Sequence, residues 1–318
     1  MAYAQGDIIL HDHYNTFATG SAGGTADHNV ANINTVWGVG NGDKGYGQST
    51  TLTPVNQSGA YDTVTATQWS TLVARLNTIL THQAGSGSGI SSTIVTGDLI
   101  TYLSTLSTNV TTAYNNRANF NNTRSAVTSD TARSSSWTSS APTTFTQVRT
   151  VTFQDADKMR YFFNAGGRLQ LKFTATGSAG TTKETNWTGL INSALTAINL
   201  DFTTSGRTGT GETLTTDGSS TGFWDLTTTD TKLIRLTQDT SPYTGSYVDV
   251  WAKVSGTAGS NGGLGTNIVF TVTYTDDGSS SFNDSINIAL NTRVDIYKPE
   301  VTNLTDVWGT ISIASTTN

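Results

Sequence analysis

Cysteine is absent from the 318 residues, so neither a disulfide nor a thiolate metal site can form, and stability has to come from packing or from association between chains. Charge is scarce as well. Asp, Glu, Lys and Arg make up 13% of the chain, about half the usual share of ~25%, and glutamate occurs only at Glu184, Glu212 and Glu300. The net charge is −6, and no cluster of Lys or Arg could neutralise a run of phosphates, which argues against a nucleic-acid partner. No apolar run approaches the roughly 18 residues that span a bilayer. The opening Met1-Ala-Tyr-Ala-Gln-Gly-Asp7 has no basic segment followed by an apolar core, so the expectation is an intact, soluble chain without a membrane partner. Proline is rare, at 4 residues, whereas disordered chains are rich in Pro, Glu and Lys. With 7 Trp, 11 Tyr and 11 Phe to bury, this chain should fold.

What fills the gap is neutral and polar: 62 Thr, 32 Ser and 24 Asn, with 32 Gly. Threonine suits a pleated sheet, because its branched side chain packs on neighbours while the hydroxyl stays wet. The length allows two domains of ordinary size. Residues 1–48 are glycine-rich, with a short strand expected over Asp7–His11, a helix over Ala26–Trp37 carrying Val30, Ile33 and Val36 on one side, and a loop over Gly38–Gly47. Thr65 and Gln68 form a capping-box pair, after which Trp69, Leu72, Val73, Leu76, Ile79 and Leu80 recur at helical spacing as far as about His82. A second helix should open at Thr96, with Leu99, Tyr102, Leu103, Leu106, Val110 and Tyr114 on one face. Together they make a helical hairpin, its connection longer than usual.

Residues 115–145 are almost wholly Asn, Ser, Thr and Arg, which sets a boundary. Beyond it the period becomes two, over Arg149–Phe153, Met159–Phe163, Leu169–Phe173, Lys232–Leu236, Tyr247–Val254, Ile268–Tyr274, Ile286–Leu290 and Val294–Tyr297. Asn164–Gly167 reads as a hairpin turn, and one helix is expected over Trp187–Ile198. The fold class is therefore α+β, mainly β. An N-terminal helical or irregular attachment and oligomerisation region, residues 1–130, precedes a Ser/Thr-rich linker, residues 131–145, and an antiparallel β-sandwich with one inserted helix, residues 146–318.

The runs VWGVGNGDKGYGQ (Val36–Gln48), TATQWSTLVARLNTILTHQ (Thr65–Gln83), MRYFFNAGGRLQLKF (Met159–Phe173), NWTGL (Asn186–Leu190) and FWDLTT (Phe223–Thr228) resemble, in the same order, a family of virion structural proteins. That family occurs in tailed phages of marine bacteria, particularly the contractile-tailed cyanophages. The resemblance covers most of the chain and implies a virion component without specifying head, neck, tail or fibre.

Catalytic constellations are hard to assemble. The glycines of residues 38–47 lack the Gly-Lys-Ser/Thr of a phosphate loop, Asp276-Asp277-Gly278 lacks the further oxygens of a calcium loop and reads as a turn, and no Gly-x-Ser-x-Gly elbow is present. The three glutamates fall outside strand interiors, so paired carboxylates across a cleft are not expected. The reading is a protein that is not an enzyme and holds no cofactor. His11 and His13 are the one metal candidate, since His-x-His on a strand puts both imidazoles on one face, but a surface or capping role is favoured; His28 and His82 share no ligand spacing with them. Trp187, Trp224, Trp251 and Trp308 could be sugar platforms, with core or contact roles favoured. Trp69, Leu72, Leu76, Ile79, Leu99, Leu103 and Leu106 are the interface candidates, because a small helical region would leave their apolar faces to be covered by other chains. The expectation is a tail, neck or fibre-associated virion protein that assembles with other virion proteins and with itself, most simply as a trimer. The alternatives are an adhesin that recognises a host surface glycan and a head decoration protein.

Overall fold

The structure is a computed structural model that describes residues 11–49, 51–55, 63–95, 102–121, 123–125, 127–139, 143–178, 180–259, 263–278 and 284–317. The chain forms two compact units. One comprises Met1–Arg124, Arg160–Gly166 and Pro299–Val307, the other Ser125–Met159, Gly167–Lys298 and Trp308–Asn318.

In the first unit the described helices within residues 1–124 are α1 (His11–Thr19), α2 (Ile33–Trp37), α3 (Ala66–Ala84) and α4 (Leu103–Asn115). The capping box opens α3: Gln68 N–H donates to Thr65 Oγ1 at 3.2 Å, and Thr65 N–H donates to Gln68 Oε1 at 2.8 Å. Gly85 ends it in the left-handed conformation, φ 79°, with its N–H on Thr81 O. The apolar stripe of α3 is buried, and Trp69 meets the rings of Tyr14 and Phe17 from α1 edge-on. Leu103, Leu106 and Val110 of α4 are buried too, but Tyr102 is 54% exposed rather than part of that face. Between helices, asparagine side chains replace regular backbone pairing. Asn15 exchanges two hydrogen bonds with the backbone of Val55, and Asn34 two with that of Leu52. The helix expected over Ala26–Trp37 is confined to α2, because Asn32 caps it by accepting from Thr35 N–H, and Val30 lies outside it, 41% exposed. Residues 7–10 of the expected first strand, along with Thr96 and Leu99, lie outside the described residues.

The second unit is a sandwich of two antiparallel sheets. Its strands are β1 (Val127–Ser129), β2 (Arg133–Ser139), β3 (Thr143–Phe153), β4 (Arg168–Gly177), β5 (Ala197–Leu200), β6 (Ser205–Arg207), β7 (Thr213–Thr216), β8 (Thr231–Thr237), β9 (Tyr247–Val254), β10 (Asn267–Asp276), β11 (Ile286–Tyr297) and β12 (Ile311–Thr317). One sheet runs β1-β11-β4-β5-β6 with β2 also on β11, and the other runs β12-β3-β10-β9-β8-β7. The alternation of β10, with Ile268, Phe270, Val272 and Tyr274 buried, supplies one inner face. Polar groups tie the sheets internally: Arg149 of β3, 3% exposed, donates to Thr292 O and Oγ1 on β11 and pairs with Asp130 at 2.9 Å.

Several expectations change here. Residues 131–145 are no linker, since β2 pairs with β11 and β3 begins at Thr143. Ser and Thr there serve an edge strand with one large anchor, the buried Trp137. Met159–Phe163 is not a strand but part of α5 (Ala156–Asn164), and Asn164–Gly167 is its exit rather than a hairpin turn. All five residues from Met159 to Phe163 are buried, so burial follows no period of two, and Asp155 caps the helix by accepting from Lys158 N–H at 2.8 Å. The inserted helix starts a turn earlier than expected, as α6 (Thr182–Gly189), runs into a π-helical turn (Leu190–Leu195), and leaves Ile198 in β5. The two strands expected over residues 286–297 are one, because Thr292 turns inward to meet Arg149. The division into residues 1–130 and 146–318 also fails, because the first unit takes residues 160–166 and 299–307 from the later part of the chain.

Candidate functional site

In the first unit the later segments are locked in by a buried polar cluster. His82, in the last turn of α3, has no exposed surface, and its Nδ1 lies 2.8 Å from Glu300 Oε1. The other Glu300 oxygen accepts N–H bonds from Thr302 and Asn303. The Tyr46 and His82 rings meet edge to face with centroids 5.1 Å apart, and Gln83 donates to the Tyr46 hydroxyl at 2.9 Å. Gln48 and Thr305 exchange two hydrogen bonds, at 3.0 and 2.8 Å. Asn164 donates to Gly45 O at 2.8 Å. Gly47 sits at φ 69° with the Tyr161 ring where a Cβ would project, so only glycine fits. The loop Gly38–Gly47 is thus a receptacle for chain, not for phosphate.

A histidine beside a carboxylate has the parts of an oriented base, but His82 is closed to solvent and no substrate can reach it in this conformation. Its electrostatics are those of a structural tie. Burial pushes the His82 pKa below 6.5, and the hydrogen bond and charge of Glu300 offset this only in part. Burial opposes ionisation of Glu300 too, yet the bonds from His82, Asn303 and Thr302 outweigh it and hold the carboxyl below its ordinary range. The neutral imidazole donates through Nδ1, and among the described residues Nε2 has no hydrogen-bond partner.

A pH dependence follows with a definite sign. The folded state holds a neutral His82 that the unfolded chain would protonate below 6.5, so this stabilisation is complete above 6.5 and is lost as pH falls below it. Glu300 adds a second loss as pH falls from 4.5 through its depressed folded value. The melting temperature of the first unit should drop between about pH 7 and about pH 5, and His82→Gln should flatten that slope. An equal slope in the variant would remove His82 as the cause.

The other site residues fare differently. His11 and His13 lie on α1, not on a strand; residues two apart on a helix point to different sides, which removes the shared face that made them a metal candidate. His11 Nε2 instead meets Asp12 at 2.9 Å, and no group of three possible ligands occurs among the described residues. Of the interface candidates, Trp69, Leu72, Leu76, Ile79, Leu103 and Leu106 are at most 4% exposed. Their apolar faces are covered by the chain's own folding and are not left for neighbours. Trp187 and Trp308 are fully buried core groups, Trp251 carries Lys232 over its ring, and Trp224 stacks on Phe202. Asp276 is the last residue of β10, and its carboxylate is not open for a loop cation: it is buried and pairs with Lys183 at 3.0 Å. Thr181-x-x-Glu184 is a cap signal that announces α6, and Lys183 lies inside it, but nothing local shows that this lysine turns inward.

An open site lies on the outer face of the first sheet, where β11, β4 and β5 run side by side. Arg293 stands opposite Lys172, Asp295 opposite Gln170, and Asn291 opposite Thr174. Asp295 is nearly buried between two cations: Lys172 Nζ is 2.8 Å away and Arg293 Nε 3.0 Å. Burial works against its ionisation, but bonds from Lys172 and Ser129 and the charges of Lys172 and Arg293 prevail and keep the carboxyl below its usual range. Lys172 and Arg293, but not Asp295, line a groove of about 540 Å³ together with Phe173, Thr174, Thr196, Thr208 and Asn291. The two cations face the groove and the carboxylate that pairs with them does not, so the charged part of its lining is positive. Among the described residues no helix is long and apolar enough to cross a membrane. No protein-family model, curated protein or solved structure matches this chain.

Proposed function

We propose that this chain is a structural component of a tailed-phage particle, associated with tail, neck or fibre, which assembles through its helical unit with other virion proteins and with copies of itself, and displays the sandwich. The observation that carries the reading is where the motifs behind the phage resemblance end up. Val36–Gln48, Thr65–Gln83 and the start of Met159–Phe173 supply Tyr46, Gln48, His82, Gln83, Tyr161 and Asn164 to one interlocked interior. Sequence spent on locking distant segments together suits a load-bearing part. The apolar drive for attachment comes from fewer groups than the helix faces promised. Of the exposed large apolar residues described, Val30, Val39, Val95, Tyr102 and Val301 belong to the helical unit, and only Val127 and Leu264 to the sandwich.

The groove on the sandwich favours a second reading, an adhesin that recognises a host surface glycan. Immunogold labelling of purified particles of the encoding phage, with antibody raised against the whole chain, tests the first reading. Label at regular positions on tail, neck or fibre is the expected result, with a trimer by light scattering of the free chain. Particles that lack the chain would overturn the structural role, and label at the tips of fibres alone would favour the adhesin.

A further inference from the structure

We propose that the groove lined by Lys172 and Arg293 binds an acidic sugar through its carboxylate. This deepens the adhesin reading, although the binding does not depend on where the chain sits in a particle. Three features of the site point the same way. The first is charge: Asp295 fixes both cations in place without lining the groove itself, and the positive charge that does line it calls for an anionic ligand group. An ammonium has three donors and a guanidinium five in a planar fork, so one buried carboxylate takes up only part of what Lys172 and Arg293 offer, and the fork matches a second carboxylate.

The second is the rim. Hydroxyls of Thr174, Thr196 and Thr208 and the carboxamide of Asn291 both donate and accept, as the hydroxyls of a pyranose require, and the volume of about 540 Å³ suits one or two sugar rings. The third is strain. The π-helical turn Leu190–Leu195 is pinned to β4 by Asn192, whose side chain exchanges two hydrogen bonds with the backbone of Ala175. It delivers Thr196 at φ 45°, a conformation costly for a β-branched residue, with Thr196 Oγ1 2.6 Å from Thr208 Oγ1 across the rim. Such strain and π-turns gather where a side chain must be aimed.

The test uses the whole chain and three probes: glucuronic acid, galactose 6-sulfate and galactose. Glucuronic acid should bind in the millimolar range and weaken as salt rises, with galactose roughly tenfold weaker or more. Amide shifts in the unmodified protein should move at Thr174, Asn291 and Thr208. Thr174→Trp, which fills the groove and leaves Lys172, Asp295 and Arg293 unsubstituted, should weaken glucuronic acid binding by about tenfold or more at an unchanged melting temperature. Absence of glucuronic acid binding, equal binding of galactose, stronger binding of the sulfated sugar, or shifts confined to other surfaces would each overturn the proposal.

Discussion

Leu76→Ala lowers the stability of the helical unit by about 2–5 kcal/mol, the range for deleting a large aliphatic side chain from a site that cannot collapse around the loss. Leu76 has no exposed surface, and Leu72, Val73, Ile79 and Leu80 on the same helix are buried beside it. Because α3 also carries His82 and Gln83 at its end, any slackening of its seat is passed to the bonds that hold Glu300 and Tyr46. Chemical denaturation followed by circular dichroism and by tryptophan fluorescence, to which the buried Trp69 contributes as one of seven tryptophans, reports this. A midpoint within experimental error of the unmodified protein would mean that the helix face is not the core of this unit. Since six of the seven helical residues once suited to an interface are consumed in this interior, the same variant should leave self-association unchanged. Loss of oligomers without loss of stability would reverse that assignment.

Lys183→Met destabilises the sandwich by about 3–5 kcal/mol, because it strands the carboxylate of Asp276 where water cannot reach it. The side chains are 2% and 1% exposed, their charges lie 3.0 Å apart, and Ser246 adds a hydrogen bond to the other Asp276 oxygen. The desolvation is already suffered by both groups in the folded state, so removing one partner loses the attraction and keeps the cost of the other. Removing both is different. Lys183→Met with Asp276→Leu should recover most of the loss, since an apolar pair of similar volume needs no compensation. Equilibrium unfolding of the two single variants and the double variant forms a complete cycle. Single variants within about 1 kcal/mol of the unmodified protein would show that the pair is hydrated in solution.

What could be read in the chain followed from local rules. The capping box at Thr65 and Gln68 and the three-and-four spacing after it placed α3 to within a turn, because cap and stripe both lie within one stretch. The alternation over 149–153, 169–173, 247–254 and 268–274 marked strands for a similar reason: a sheet with one dry face writes its period into the residues. The absence of cysteine and the excess of threonine bounded the chemistry before any fold was known.

Local pattern failed where burial was complete or the partner was far away. Met159–Phe163 has no dry and wet side, so period carried no information, and the cap at Asp155 was the better signal. His82 meets Glu300 across 218 positions and Lys183 meets Asp276 across 93, and no window along the chain contains both members of either pair. Arg293 and Asp295 are close in sequence, but Lys172 comes to them only because β4 lies beside β11, and Thr208 lies beside Thr196 because β6 pairs with β5. Sequence alone determined the elements that carry a cap or a one-sided period, since propensity, capping and periodicity act within a few residues. Tertiary structure alone decided which helix faces were already covered, that residues 160–166 and 299–307 complete the helical unit, and where one carboxylate holds the two cations that line a groove, because contact, desolvation and charge pairing depend on distance in space.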